Sequence, residues 1–180
     1  MTNSNDSSTQ TGAATAAIAA RPGLFLRSAG FADGAVIPAQ FTASSPNTVS
    51  PPLEWSNVPA GTESFVLILH DLDEAIDGTI ADVMHWMAFN IPGTARELPE
   101  GVPPTARLED GTIQAKNHNG GVGYLGPGAP APGPLHHYAF ELFALDTALE
   151  LDESATRAEV LIGIDEHILG KSVLVGRFHL

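Results

Sequence analysis

Short apolar runs separated by turn residues fill the chain after Pro22, a pattern that predicts mostly β structure. The run SFVLILHD (64–71) is apolar on both faces, which predicts a central strand buried on each side. In VMHWMAFNI (83–91) the two-residue period sets His85, Met87, Phe89 and Ile91 on one face and Trp86, Ala88 and Asn90 on the other. HYAFELFAL (137–145) and SVLVGRFHL (172–180) read as two further strands, and FLRSAGFADGAVIPAQFT (25–42) as two shorter ones around an Asp33-Gly34 turn. One helix is well marked. Thr156 and Glu159 form a capping box, Val160, Ile164 and Ile168 line one face, and Gly170 is placed to close its C-terminus. The expected fold class is mainly β, with packed sheets and one or two peripheral helices in a single domain over residues 23–180.

Composition narrows the function classes. With 180 residues and 43% apolar content the chain can build a sizeable core without covalent staples, and its cysteine count of zero excludes disulfides, thiol catalysis and Cys-ligated metals. Eight Lys and Arg against 21 Asp and Glu give a formal charge of −13, which argues against nucleic acid and anionic membrane surfaces as partners. No apolar run reaches the roughly 20 residues of a transmembrane helix. Residues 1–22 hold no basic residue before Arg21 and read as a disordered tail, so the expected compartment is the cytoplasm, with export left open. Trp55 and Trp86 are expected in the core.

Several motifs fail on spacing. Gly170-Lys171-Ser172 echoes a phosphate-binding loop, but Asp165 occupies the place of its first glycine. Asp71-Leu72-Asp73 starts like a calcium loop and has Ile76 where the turn glycine belongs. There is no G-x-S-x-G elbow and no H-E-x-x-H pair, and nothing calls for a cofactor. What remains is a set of polar groups at strand ends: His70-Asp71, then His85, then His136, His137 and Tyr138. GYLGPGAPAPGPLHHY (123–138) runs into the last of these with four Gly and four Pro. It reads either as a rigid wall for a small site or as a proline-rich crossover.

Four segments in order resemble the phosphatidylethanolamine-binding protein family, the group that includes Raf kinase inhibitor protein, and its bacterial branch in particular. They are SPPLEWSNVPAGTESFVLILHDLD (50–73), HWMAFNIPG (85–93), N-x-x-G-x-x-GY-x-GP (117–127) and LHHYAFELFALD (135–146), with GKSVLVGRF (170–178) closing the chain in the same style. The resemblance implies a central antiparallel sheet flanked by a second sheet and helices, with a small anion pocket for phosphate or a phosphorylated headgroup. It implies Asp71 as the pocket carboxylate, His85 as an imidazole, Gly126 and Pro127 as a wall, and His136 and Tyr138 at the rim. The family commonly has prolines where this chain has Leu72 and Ala75, and the acidic AIDGTIADV (75–83) follows.

A carboxylate beside an imidazole favours the protonated ring. If His85 and His136 are both charged, they outweigh Asp71, and anion affinity should rise below about pH 6.5, the ordinary histidine pKa. The leading expectation is therefore a binding module for a small anionic or phosphorylated ligand. An enzyme using Asp71 and His85 as an acid–base pair, and a metal site built on His85, His136 and Asp71, are the alternatives. Action on a protein partner such as a protease or kinase, through exposed loops such as residues 71–82, and a homodimer are also compatible with the sequence.

Overall fold

The computed structural model describes residues 23–74 and 82–180; the expected tail, 1–22, and most of the acidic segment after Ala75 lie outside the described residues. Among the described residues, eight strands form two antiparallel sheets. The smaller joins β1 (Phe25–Arg27), β2 (Leu53–Ser56) and β5 (Glu97–Leu98) in the order β1-β2-β5. The larger adds β3 (Ser64–Asp71), β4 (Val83–Pro92), β6 (Ile113–Gln114), β7 (His136–Leu145) and β8 (Ile168–Phe178) in the order β6-β4-β3-β7-β8.

All eight residues of β3 are buried, because this central strand is covered on both faces. On one face Phe65, Leu67 and Leu69 meet Trp86, Phe140 and Leu142 of the neighbouring strands and Leu26, Leu53 and Trp55 of the smaller sheet. On the other, Val66 and Ile68 join Met87, Phe89 and Phe143 under helix α1 (Arg157–Ile164), which contributes Val160 and Ile164. The capping box forms as expected: the Thr156 side chain accepts from the Glu159 N–H, and the Glu159 carboxylate accepts from the Thr156 N–H.

Three expectations change. The helix ends at Ile164, and Ile168 and Gly170 belong to β8, where Leu145 and Ala144 of β7 pair with them. Sheet pairing here overrides local helical periodicity. The stretch after Asp33 forms no second strand of a hairpin. It lies along the outer edge of β8, where Gly34 N–H donates to Val175, Arg177 N–H donates to Ala35 and Ile37 N–H donates to Arg177, and so covers an edge that would otherwise be open. A short 3-10 turn at Ala39–Phe41 follows.

The third change concerns β4 and places the site. Its register against β3 slips twice, between Phe65 and Leu67 and between Leu69 and His70. At the first slip Asn90 takes φ 54°, and Ile91 turns into the inter-sheet core instead of following Met87 and Phe89. At the second, Leu69 pairs with Trp86 and His70 with Met84, so His85 is an extra, unpaired residue. Such a bulge re-aims a side chain. His85 leaves the face predicted for it and packs edge-on against Tyr138, with ring centroids 5.2 Å apart and an interplanar angle of 89°.

Candidate functional site

A cavity of about 350 Å³ opens where β3, β4 and β7 end. Asp71 and Tyr138 are directly paired across β3 and β7, and the bulge brings His85 beside them. Residues 125–130 close one side, with Leu125, Gly126, Gly128, Ala129 and Pro130 in the wall. This wall leans on the segment after the 3-10 turn: Ala43 N–H donates to the Pro127 carbonyl at 2.8 Å, and the Tyr124 hydroxyl donates to the Phe41 carbonyl at 2.6 Å. Gly126 is required there. A Cβ at that position would lie 2.6 Å from Thr48 Cγ2 and 2.9 Å from the Thr42 carbonyl carbon.

Asp71 is buried at 3% exposure and its acceptor capacity is largely spent. Oδ1 accepts from the N–H groups of Asp73 (2.9 Å) and Glu74 (3.2 Å), and Oδ2 accepts from His136 Nδ1 at 2.8 Å. A carboxylate so capped acts as a fixed negative group that orients His136. It is not hydrogen-bonded to His85 among the described residues.

His85 differs from expectation in charge. Burial pushes its pKa below the ordinary histidine value, although the Leu125 carbonyl and the Asp71 charge pull the other way. Its Nδ1–H donates to the Leu125 carbonyl at 2.9 Å, and the carbonyl can only accept, so the neutral ring carries its lone pair on Nε2. At neutral pH the ring is therefore neutral, and the pH at which it charges lies below 6.5 rather than near or above it. Tyr138, whose hydroxyl accepts from Ala129 N–H at 3.0 Å, is pushed well above the ordinary phenol range by burial first and by Asp71 second.

Of the six residues expected at the site, Asp71, His85, Gly126 and Tyr138 line the cavity; Pro127 and His136 do not. Pro127 braces the wall through its carbonyl, and His136 stands against Asp71. Nine residues outside that set also line it, among them Ala43, Glu74, His118 and Asn119. His118 and Asn119 are presented by Asn117, whose buried side chain accepts from the N–H groups of Asn119 and Gly121 and donates to the Gly123 carbonyl. The Asn-x-x-Gly pattern marks this turn in the sequence, but nothing local says which way its middle residues face.

The other strand-end histidines lie elsewhere. His137 is exposed and donates to Asp73, and His70 points to the opposite face of the sheet, under α1. Among the described residues no cluster of three or more His, Cys, Asp or Glu is placed to hold a metal ion, and in the expected triad His136 Nδ1 and Asp71 Oδ2 are turned toward each other. No described helix is long and apolar enough to cross a membrane.

Comparison with known proteins agrees with this fold. The profile of the phosphatidylethanolamine-binding protein family matches residues 27–179. A UPF0098 protein of Methanothermobacter thermautotrophicus is 39% identical over 153 residues, covering 85% of this chain and 97% of that protein. LppC of Mycobacterium tuberculosis, provisionally named a lipoprotein, is 38% identical over 92% of this chain and 77% of its own. Among solved structures, the phosphatidylethanolamine-binding protein homologue CT736 of Chlamydia trachomatis superposes with a TM-score of 0.76 at 30% identity, covering 87% of this chain and 97% of that one. YbcL of Escherichia coli does so at 25% identity with the same score, covering 88% and 99%. The chain belongs to the phosphatidylethanolamine-binding protein family.

Proposed function

We propose that this protein is a binding module whose cavity takes a small anion of the phosphate or phosphorylated-headgroup type. The observation that carries the reading is the state of Asp71. Its carboxylate is capped by two backbone N–H groups and His136, so the cavity's deepest acid is spent internally, while the neighbouring His85 is neutral and ready to take a proton. An anion entering the cavity supplies the charge that makes His85 protonation favourable, and the protonated ring then donates from Nε2. The family name fits this chemistry, since a phosphatidylethanolamine headgroup carries a phosphate.

The pH dependence follows with a definite sign. Because His85 is neutral in the free protein and protonated in the complex, binding takes up a proton, and affinity rises as pH falls. The rise levels off only below the lowered pKa of the free protein, which lies under 6.5. Calorimetric titration of sulfate, whose charge is constant between pH 5.5 and 7.5, measures this directly, with inorganic phosphate and phosphoethanolamine beside it after correction for their own protonation. Saturable binding, tighter at the lower pH and with heat that varies with the buffer's ionisation enthalpy, is the expected result. His85→Asn should weaken binding at pH 5.5 roughly 10- to 100-fold, the range of one charge-assisted hydrogen bond. Absence of binding at both pH values, or equal affinity in His85→Asn, would overturn the reading.

A further inference from the structure

The cavity has a second imidazole, His118. His118 lines it at the mouth, held on the Asn117 turn and tied to the start of β4 by its own N–H, which donates to the Met84 carbonyl at 2.9 Å. Facing the same space are Asp71 and Glu74 from the end of β3, His85 from β4, Tyr138 from β7 and Asn119 beside His118. A singly charged anion needs only one new positive charge, and His85 supplies it. A doubly charged anion meets the Asp71 and Glu74 carboxylates with one charge still unmatched. It is accommodated only if a second cation stands within reach.

We infer that His118 is a specificity-determining residue that makes the cavity prefer a tetrahedral dianion, of the phosphomonoester class, over a monoanion. The inference rests on the anion reading above and refines it. Two protonated imidazoles on one cavity repel each other, and the charge of His118 is felt at His85 in this sense. A dianion between them removes that repulsion, whereas a monoanion removes only part of it. His118 is exposed, and the hydrogen bonds that shape its turn come from Asn117 and the backbone, so the ring can be replaced without unmaking the loop.

Sulfate and acetate are the probes, because sulfate stays doubly charged across the working range while acetate carries one charge. Titrated at pH 5.5, the unaltered protein binds sulfate more tightly than acetate. In His118→Asn, acetate affinity stays within about twofold and sulfate affinity falls about tenfold, so the preference closes. Retained acetate binding shows that the variant's cavity is intact. Titration of glycerol phosphate and of vesicles carrying phosphatidate then separates a soluble monoester from the same group on a lipid. Sulfate bound equally by His118→Asn and the unaltered protein overturns the role of His118 while leaving the anion pocket standing. An unaltered protein that binds neither anion overturns both.

Discussion

Replacing His70 with glutamine lowers the unfolding free energy by about 3 kcal/mol at pH 6 and by clearly less at pH 9. His70 lies one residue before Asp71 but faces the other way, its buried ring set against a half-buried group of charges. Its Nδ1 is 2.5 Å from Asp82 Oδ2, and its Nε2 is 3.2 Å from Glu141 Oε2, an ion-pair contact rather than an aligned hydrogen bond. Arg157, at the start of α1, holds the other oxygen of Asp82, and Lys171 of β8 holds Glu141 at 2.6 Å. One ring thus ties together β3, the entry to β4, β7 and, through its partners, α1 and β8. Loss of one member of a buried ion pair costs about 3–5 kcal/mol; no more than the lower end applies because both carboxylates are partly exposed and keep Arg157 and Lys171 as partners.

The pH window of that effect follows from the shifts. Burial opposes charge on His70, but Glu141 and Asp82 together outweigh it and raise the pKa above 6.5. The stabilisation is therefore complete below 6.5 and is lost as pH climbs through the raised value. Glu141, held first by His70 and then by Lys171, is pulled down to about 2, so its contribution persists above 4.5 and fades only as pH falls toward that value. His85 acts with the opposite sign: its neutral form stabilises the fold above 6.5, and this is lost as pH falls through its lowered pKa. Urea titrations of the two proteins at pH 6 and 9 test the pair of statements. An equal difference at both pH values would mean that the ring fills space and that its charge does not matter.

These two histidines also show where the sequence can be read and where it cannot. Apolar runs such as SFVLILHD are legible because burial on both faces leaves no polar position. The capping box is legible because its partners are three residues apart. The direction of His85 is not, because strict alternation groups it with Met87, and the bulge that reverses it arises from pairing with another strand. Ile91 moves for the same reason at Asn90. The end of α1 was misplaced because Ile168 and Gly170 continue the helical spacing while β7 offers them a strand partner. Motif order pointed to Asp71, His85 and Tyr138, but the charge on His85 depends on burial, which no motif encodes. Whether His118 faces the cavity or solvent is not legible, because its position depends on what Asn117 bonds to across the turn.

The glycine-proline wall is where backbone geometry and ligand chemistry meet, and Gly126→Ala tests that link. The new methyl would lie 2.6 Å from Thr48 Cγ2, 2.9 Å from the Thr42 carbonyl carbon and 3.0 Å from the Ala43 nitrogen. A threonine methyl can move a little, but two backbone atoms braced by the Ala43–Pro127 hydrogen bond cannot, so the wall itself must shift. Overpacking of this kind costs roughly 1–3 kcal/mol, and about 2 kcal/mol of stability should be lost. The larger effect is on binding. Leu125, next in the chain, donates its N–H to the His85 carbonyl and accepts from His85 Nδ1, so a displaced wall carries away the group that fixes the ring's tautomer and orientation. Phosphate affinity at pH 5.5 should fall by roughly 100-fold, the loss of more than one charge-assisted hydrogen bond. Gly128→Ala is the milder comparison: its methyl would meet only the Ala43 Cβ closely, at 3.1 Å, a smaller overlap than the 2.6 and 2.9 Å contacts at Gly126. That variant should lose less than about tenfold in affinity and under about 1 kcal/mol in stability. If the two alanine variants bind phosphate equally well, the wall does not position His85, and the ring's orientation is set by the β4 bulge alone.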